Sequence, residues 1–352
     1  MYSNDLPSRR RELTLRIAVT GDAGFIGYHT SARLLADGHQ VLGIDALTDY
    51  YDPQLKRDRL SRLDAHEAFE HRTGRLEDAA FIGEALQSFR PEIVMHFAAQ
   101  AGVRYSIEAP EAYISSNVVG TQVLLEALKE IRPAHTLIAS TSSAYGGNTV
   151  LPFSEQHSTR SPVSLYAATK ISGEAIAHSY SHLWDLPVTC FRFFTVYGPW
   201  GRPDMALFKF VTAIEKGDPI DIYGFGEMKR DFTYVDDLVS AVTLLMGRPP
   251  RSGSPVGAFD TLSPVAPYRV VNIAGGAPLG LLDFVEAVED ATGKKAVRRL
   301  LPMQPGDVVE TYADTRLLRD LIGSLPETTV RDGVEQFVDW FARYRSTVPQ
   351  GA

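Results

Sequence analysis

An α/β fold is expected, with a doubly wound parallel sheet and a smaller C-terminal α/β lobe, and three observations predict it. Short apolar runs alternate with amphipathic stretches through the first half of the chain, the pattern of βαβ units. Such units build a parallel sheet covered by helices on both faces. A glycine-rich turn, Gly21-Asp22-Ala23-Gly24-Phe25-Ile26-Gly27, joins the first apolar run to the first amphipathic one. Beyond about residue 195 the alternation breaks down, and Pro, Gly and Arg cluster at 198–203, 224–230 and 248–267. That part reads as a lobe that caps the sheet and receives a ligand.

Taken in order, the expected strands are 15–20, 40–44, 68–72, 93–97, 136–140 and 188–193. The expected helices are 25–36, 81–89, 117–131 and 165–183, where apolar residues return every three or four positions. This divides the chain into a first domain over 13–195, with returning segments near 232–247 and 268–276, and a lobe over 196–231 and 277–345. Residues 251–264 (RSGSPVGAFDTLSP) read as a mobile surface loop and 346–352 as a flexible tail.

The chain has 352 residues, 44% apolar and 22% charged, as an ordinary globular protein does, which excludes a disordered or collagen-like chain. With 35 Lys and Arg against 43 Asp and Glu, the formal charge is −8. A broad basic footprint for nucleic acid is not expected, whereas a local cationic pocket is compatible with this balance. The single cysteine, Cys190, excludes an intrachain disulfide and a cysteine-cluster metal site, in keeping with the cytoplasm. The N-terminal residues are polar and Arg-rich, and no apolar run is long enough to cross a membrane. His178 and His182 are spaced as metal ligands on a helix can be, but no third ligand accompanies them, so no metal is expected.

The glycine turn follows a strand and opens a helix. Its glycines allow a tight turn and close approach to a diphosphate, and the helix end directs free N–H groups at the phosphates. Asp45, at the end of the second strand, is placed to accept hydrogen bonds from an adenosine ribose and to repel a 2′-phosphate, which favours NAD over NADP. Tyr166 and Lys170 lie four apart and share one helical face. An ammonium beside a phenol favours the phenolate, and such a pair can take a proton from a sugar hydroxyl as hydride leaves the carbon. Thr141, just after the fifth strand, can hydrogen-bond the same oxygen.

The glycine turn, the Ser140-Thr141-Ser142-Ser143-Ala144-Tyr145-Gly146 segment and the Tyr166/Lys170 pair together resemble the extended short-chain dehydrogenase/reductases that act on nucleotide sugars. The resemblance runs from Ile17 to about Tyr344. Within that family, the runs at 49–56 (DYYDPQLK), 164–170 (SLYAATK), 191–206 (FRFFTVYGPWGRPDMA), 229–237 (KRDFTYVDD) and 301–307 (LPMQPGD) are similar to UDP-glucuronate 4-epimerases. The resemblance implies a Rossmann-like domain with tightly bound NAD and a UDP-sugar-binding lobe. It implies Thr141, Tyr166 and Lys170 as catalytic residues. It implies NAD contacts at Gly21, Gly24, Phe25, Ile26, Gly27, Asp45, Leu76, Ala98, Ala99, Tyr166 and Lys170. Substrate contacts are implied at Thr141, Ser142, Ser143, Tyr166, Arg192, Thr195, Arg202, Ala206, Tyr223, Arg230 and Asp307. One departure is Gly74-Arg75-Leu76-Glu77, where relatives often carry Asp before an apolar residue near the adenine.

The expected reaction is reversible C4 epimerisation of UDP-glucuronate to UDP-galacturonate through a 4-keto sugar, with Tyr166 as acid and base. The alternatives are a 4-epimerase of a neutral UDP-hexose, a UDP-glucuronate decarboxylase and a non-catalytic NAD-sensing module. Decarboxylating relatives usually have Glu where this chain has Ser143, and a sensor would not need the catalytic trio. Arg192 and Arg202 are both candidates for the substrate carboxylate, because the planar guanidinium matches it. UDP-glucose would leave Arg202 unpaired and is expected to react poorly. The wide apolar faces of 117–131 and 165–183 (Val118, Leu124, Leu125, Leu128; Ile171, Ile176, Leu183) leave surplus apolar surface, and in relatives these helices pair into a four-helix bundle, so a homodimer is expected.

Overall fold

The computed structural model describes residues 14–304, 306–324 and 327–347. Seven strands form one sheet: β1 Arg16–Thr20, β2 Gln40–Asp45, β3 Phe69–Thr73, β4 Ile93–His96, β5 His135–Thr141, β6 Val188–Phe193 and β7 Tyr268–Ile273. Their order is β7-β6-β5-β4-β1-β2-β3, and every neighbouring pair is parallel. Ile17 of β1 pairs with Val41 on one side and Ile93 on the other. The chain winds outward from β1 to β3 and then crosses back to β4. Between β1 and β4, therefore, lies the switch point where open parallel sheets bind ligands. Six strands match the sequence reading, and β7 returns from far along the chain to pair with β6.

Alternate residues of each strand enter opposite layers. Ile17 and Val19 join one buried cluster, and Ala18 joins the other with Leu42, Val94 and Ile138. The helices that cover the sheet are α1 Phe25–Ala36, α2 Pro53–Leu63, α3 Ala79–Phe89, α4 Gly120–Ile131 and α5 Leu165–Trp184. Side-chain caps start three of them: Asp52 accepts from Gln54 N, Asp78 from Ala80 N and Phe81 N, and Ser164 from Ala167 N. Sequence reasoning did not anticipate α2, whose Leu55, Leu60 and Leu63 are diluted by five charged residues. The helix expected at 117–131 is α-helical only from Gly120, and a π-helical stretch, Ile114–Val119, leads into it.

The rest of the chain adds a three-stranded sheet (Pro278–Gly280, Lys229–Tyr234, Thr195–Tyr197) and a parallel pair (Val297–Leu300 with Pro219–Ile222). Helices α6 Ala206–Lys216, α7 Val235–Met246, α8 Leu281–Thr292 and α9 Val330–Thr347 pack around them. One buried cluster runs continuously from Ile17 and Val19 to Phe337 and Phe341, so the lobe shares its core with the sheet.

Two expectations need correction. The loop at 251–264 is not mobile throughout: Asp260 is clamped by Arg269 of β7 at 2.7 and 2.9 Å, and Thr261 Oγ1 donates to Val270 O. A buried ion pair and a backbone anchor hold its second half in place. The tail expected at 346–352 begins as helix, since α9 continues through Thr347, and 348–352 lie outside the described residues. Among the described residues no helix is long and apolar enough to cross a membrane, and no group of three or more His, Cys, Asp or Glu side chains could hold a metal ion.

Candidate active site

A cleft of about 990 Å3 opens at the carboxyl ends of β1, β2, β4, β5 and β6. That volume is at the upper end for ligand pockets, ~300–1,000 Å3, enough for more than one small molecule. At its floor the glycine turn is dictated by sterics. Gly21 has φ +79°, and a Cβ there would lie 2.7 Å from Ala98 N. A Cβ on Gly27 would lie 2.0 Å from Gly21 O. The N-cap of α1, Gly24, has no side-chain cap, which leaves the first N–H groups of the helix to an anion. Phe25 and Ile26 line the cleft beside them.

Asp45 lines the adjacent wall; its Oδ1 accepts from Leu47 N at 2.7 Å and lies 3.4 Å from Lys56 Nζ. Beneath the turn, Asp22 is fully buried and paired with His71 at 2.8 Å. Burial pushes its carboxyl up to about 6 against the pull of His71. Gly43 allows this carboxylate its place, since a Cβ there would lie 2.1 Å from Asp22 Oδ2. Leu76, Ala98 and Ala99 line the next wall, and Arg75, the departure noted above, pairs with Glu77 at 2.7 Å. The loop after β4 is held by Asn117, which accepts from Gln100 N at 2.7 Å and donates to Gln100 O and to Thr169 of α5. A turn that only glycines permit, free helix N–H groups and a carboxylate at the end of β2 are fitted to a dinucleotide.

At the centre, Thr141 ends β5, a 3-10 turn carries Ser142 and Ser143, and α5 presents Tyr166 and Lys170. Thr141 Oγ1 accepts from Ser143 N at 3.1 Å and lines the cleft together with the Tyr166 phenol. Burial raises that phenol, while Thr141 and the charge of Arg202 pull it back. The expected fall of Tyr166 toward neutrality is thus not produced by the protein's own groups, because burial outweighs them. Burial brings the Lys170 ammonium down to about 8, and His96, locked between Thr20 and Thr121, down to about 3.

Arg192 does not reach the cleft, which corrects its assignment as a substrate contact. Its Nε and Nη2 donate to Glu174 at 2.9 and 2.7 Å, its guanidinium lies 4.9 Å from the centre of the Tyr145 ring, and only 4% of it is exposed. Glu174 also accepts from Ser140, so the pair ties β5, β6 and α5 together one residue from Thr141.

Arg202 does face the cleft, together with Thr195, Ala206, Tyr223, Arg230 and Asp307. It is not bare: Nε donates to Asp204 Oδ1 at 3.0 Å and Nη2 to Oδ2 at 2.5 Å, and Tyr50 donates to the same carboxylate at 3.1 Å. The expectation that a neutral sugar leaves Arg202 unpaired is therefore corrected, because Asp204 already partners it. Burial alone would raise the Asp204 carboxyl, but the charge and hydrogen bonds of Arg202 hold it below its ordinary value. Arg230 donates to Val309 O at 3.1 Å, and Arg104 pairs with Asp307 at 3.1 Å while lying over the Tyr223 ring. Sequence reasoning missed Tyr50, Lys56, Arg104 and Asp204. Tyr50, Lys56 and Asp204 sit inside the runs 49–56 and 191–206 that carried the resemblance, whereas Arg104 has no local signal.

Residues 17–258 match the NAD dependent epimerase/dehydratase family. A protein of Rhizobium meliloti named "Probable UDP-glucuronate 4-epimerase" is 52% identical over 93% of this chain and 97% of its own length. An Arabidopsis thaliana protein named UDP-glucuronate 4-epimerase 4 is 42% identical over 94% of this chain and 76% of its own. The solved structure of UDP-glucuronic acid 4-epimerase from Bacillus cereus, in complex with UDP-glucuronic acid and NAD, superposes with a TM-score of 0.83 at 32% identity, covering 94% of this chain and 100% of that one.

Proposed function

The chain belongs to the NAD-dependent epimerase/dehydratase family, and from that we propose that it interconverts UDP-glucuronate and UDP-galacturonate by inverting C4 of the sugar. The observation that carries this reading is the placement of Thr141, Tyr166 and Lys170 between the glycine turn and a wall bearing Arg104, Arg202 and Arg230, all in one cleft. The division of labour we infer gives NAD to the domain over 13–195 with its returning segments, and the UDP-sugar to the lobe over 196–231 and 277–345. Gly21, Gly24, Phe25, Ile26, Gly27, Asp45, Leu76, Ala98 and Ala99 would hold NAD, with Tyr166 and Lys170 at its reactive end. Bound there, NAD supplies a hydride acceptor and donor for C4 and, when oxidised, a positive charge that favours a phenolate.

Tyr166 takes the C4 hydroxyl proton as the carbon is oxidised to a ketone, and returns it after the sugar has turned its other face. Thr141, on the same cleft lining, hydrogen-bonds the same substrate oxygen and keeps it in register with the phenol. The 4-keto uronate is a β-keto acid and loses CO2 when its C5–C6 bond aligns with the carbonyl. Hydroxyls of Thr141, Ser142 and Ser143, with Arg202, hold the carboxylate out of that alignment. Arg230, Arg104 and Lys209 give the wall a positive charge suited to the diphosphate.

The test is incubation of the purified protein with UDP-glucuronate, UDP-glucose and UDP-xylose separately, resolving sugar products and CO2. UDP-galacturonate as the main product supports the reading. UDP-pentose with CO2 replaces it with a decarboxylase, and faster conversion of UDP-glucose replaces it with a neutral-hexose epimerase. We further infer a cytoplasmic homodimer joined through α4 and α5. Leu124, Leu125 and Leu128 are spent on the core, but Val119, in the π-helical stretch that leads into α4, and Leu183 of α5 remain 42% and 64% exposed. Sedimentation at micromolar concentration giving only the monomer mass would refute the dimer.

A further inference from the structure

The side edge of Arg202 is spent inside the protein and its end edge is not. A guanidinium offers two bidentate edges to carboxylates: Nε with Nη2, and Nη1 with Nη2. Asp204 takes the first, at 3.0 and 2.5 Å. Among the described residues no hydrogen bond is made by Nη1, and the group lies on the cleft wall. Asp204 is steadied from a separate segment, because Tyr50, in the loop after β2, donates to its Oδ2 at 3.1 Å while its ring lies 5.8 Å from the Arg202 guanidinium. The backbone leading into Arg202 is held as well. The fully buried Arg59 of α2 donates to Trp200 O at 2.6 Å and to Ala23 O, in the glycine turn, at 2.8 Å. Pro203, whose ring locks φ, fixes the spacing between Arg202 and Asp204.

We propose that Asp204 is a positioning residue for uronate recognition: it fastens the Nε–Nη2 edge of Arg202, with Tyr50 behind it, so that the Nη1 end is presented ready-made to the substrate's carboxylate. This rests on the reading that the substrate is a UDP-uronate. The device works by pre-organisation. A long cation on a cleft wall otherwise loses rotamer freedom each time it binds, and a carboxylate clamp removes that cost before substrate arrives. The clamp also places a negative charge next to the site, so the attraction to a uronate comes from orientation more than from net charge.

The test is the ratio of dissociation constants for UDP-glucuronate and UDP-glucose, measured by competition against a fluorescent UDP analogue on the NAD-loaded enzyme. Both ligands carry the same diphosphate, so the added positive charge of Asp204→Asn cancels there. Asp204→Asn should shift the ratio against UDP-glucuronate by about tenfold, the loss of one oriented charge-assisted pair. Tyr50→Phe should shift it in the same direction by less, and it carries the test should Asp204→Asn fail to fold. Asp204→Glu, which keeps the charge, should restore part of the loss. A merely structural role would weaken both ligands alike. An unchanged ratio, or one that moves toward UDP-glucuronate, overturns the proposal and marks Asp204 as a competitor for Arg202. Turnover of wild type is scored separately: absence of UDP-galacturonate sinks the epimerase reading, while the binding ratio still reports on the clamp.

Discussion

Replacing Arg192 by Met separates a framework residue from a substrate contact. The guanidinium makes two hydrogen bonds to Glu174, at 2.9 and 2.7 Å, with the two side chains only 5% and 8% exposed. Arg192→Met leaves the Glu174 carboxylate in an apolar setting with Ser140 as its one remaining side-chain donor among the described residues. Breaking one half of a buried pair costs about 3–5 kcal/mol, most of it the uncompensated charge that stays behind. For a chain of 352 residues, at an unfolding entropy of ~2.1 cal/mol/K per residue, that lowers the melting temperature by about 4–7 °C. The double variant Arg192→Met/Glu174→Met removes both charges and should recover most of the loss. Thermal unfolding followed by circular dichroism, alongside KM for UDP-glucuronate, is the assay. A single variant with an unaltered melting temperature and a raised KM would refute the reasoning and return Arg192 to the substrate.

Three further outcomes follow from the site. Tyr166→Phe keeps the ring against Tyr113 and removes only the proton acceptor, so kcat should fall ~10²-fold or more while UDP-sugar affinity is retained; activity within a few-fold of wild type would take Tyr166 out of its role. Asp45→Ala removes the carboxylate on the wall assigned to the adenosine ribose, so purified protein should carry less NAD; unchanged occupancy counts against that contact. Asp22 is raised to about 6 chiefly by its burial, and His71 is raised as well, because its pairing with Asp22 outweighs its own burial. Both groups hold their protons more tightly when folded, so each contributes stability at low pH that is lost as pH rises, for Asp22 from about 4 through about 6. Asp22→Asn should flatten the melting temperature over pH 4–7, and a variant with the wild-type slope would place that dependence elsewhere.

The parts of this protein legible in its sequence are those encoded within a single strand, turn or helical turn. Gly24 and Gly27 are required by contacts with Gly21 inside their own turn, and Gly21 by its positive φ, so their spacing is visible without the fold. Tyr166 and Lys170 share a face because a helix brings every fourth residue round. The strands β1, β2, β4, β5 and β6 show as apolar runs because a doubly covered sheet needs them on both faces, whereas the edge strand β3 has only Phe69 apolar. Tertiary structure decided the rest. Arg192 and Arg202 are the same residue type ten positions apart, and only the arrival of Glu174 from α5 makes one a buried brace, while Asp204 and Tyr50 make the other an oriented group on the cleft wall. Helix α2 hid behind its charges because Arg59 finds its acceptors, Ala23 O and Trp200 O, far away along the chain. Steric and hydrogen-bonding rules for backbone act over a few residues and leave a pattern in sequence. Whether a charge faces a ligand or is neutralised depends on which distant group packs against it, and that is settled only when the chain closes on itself.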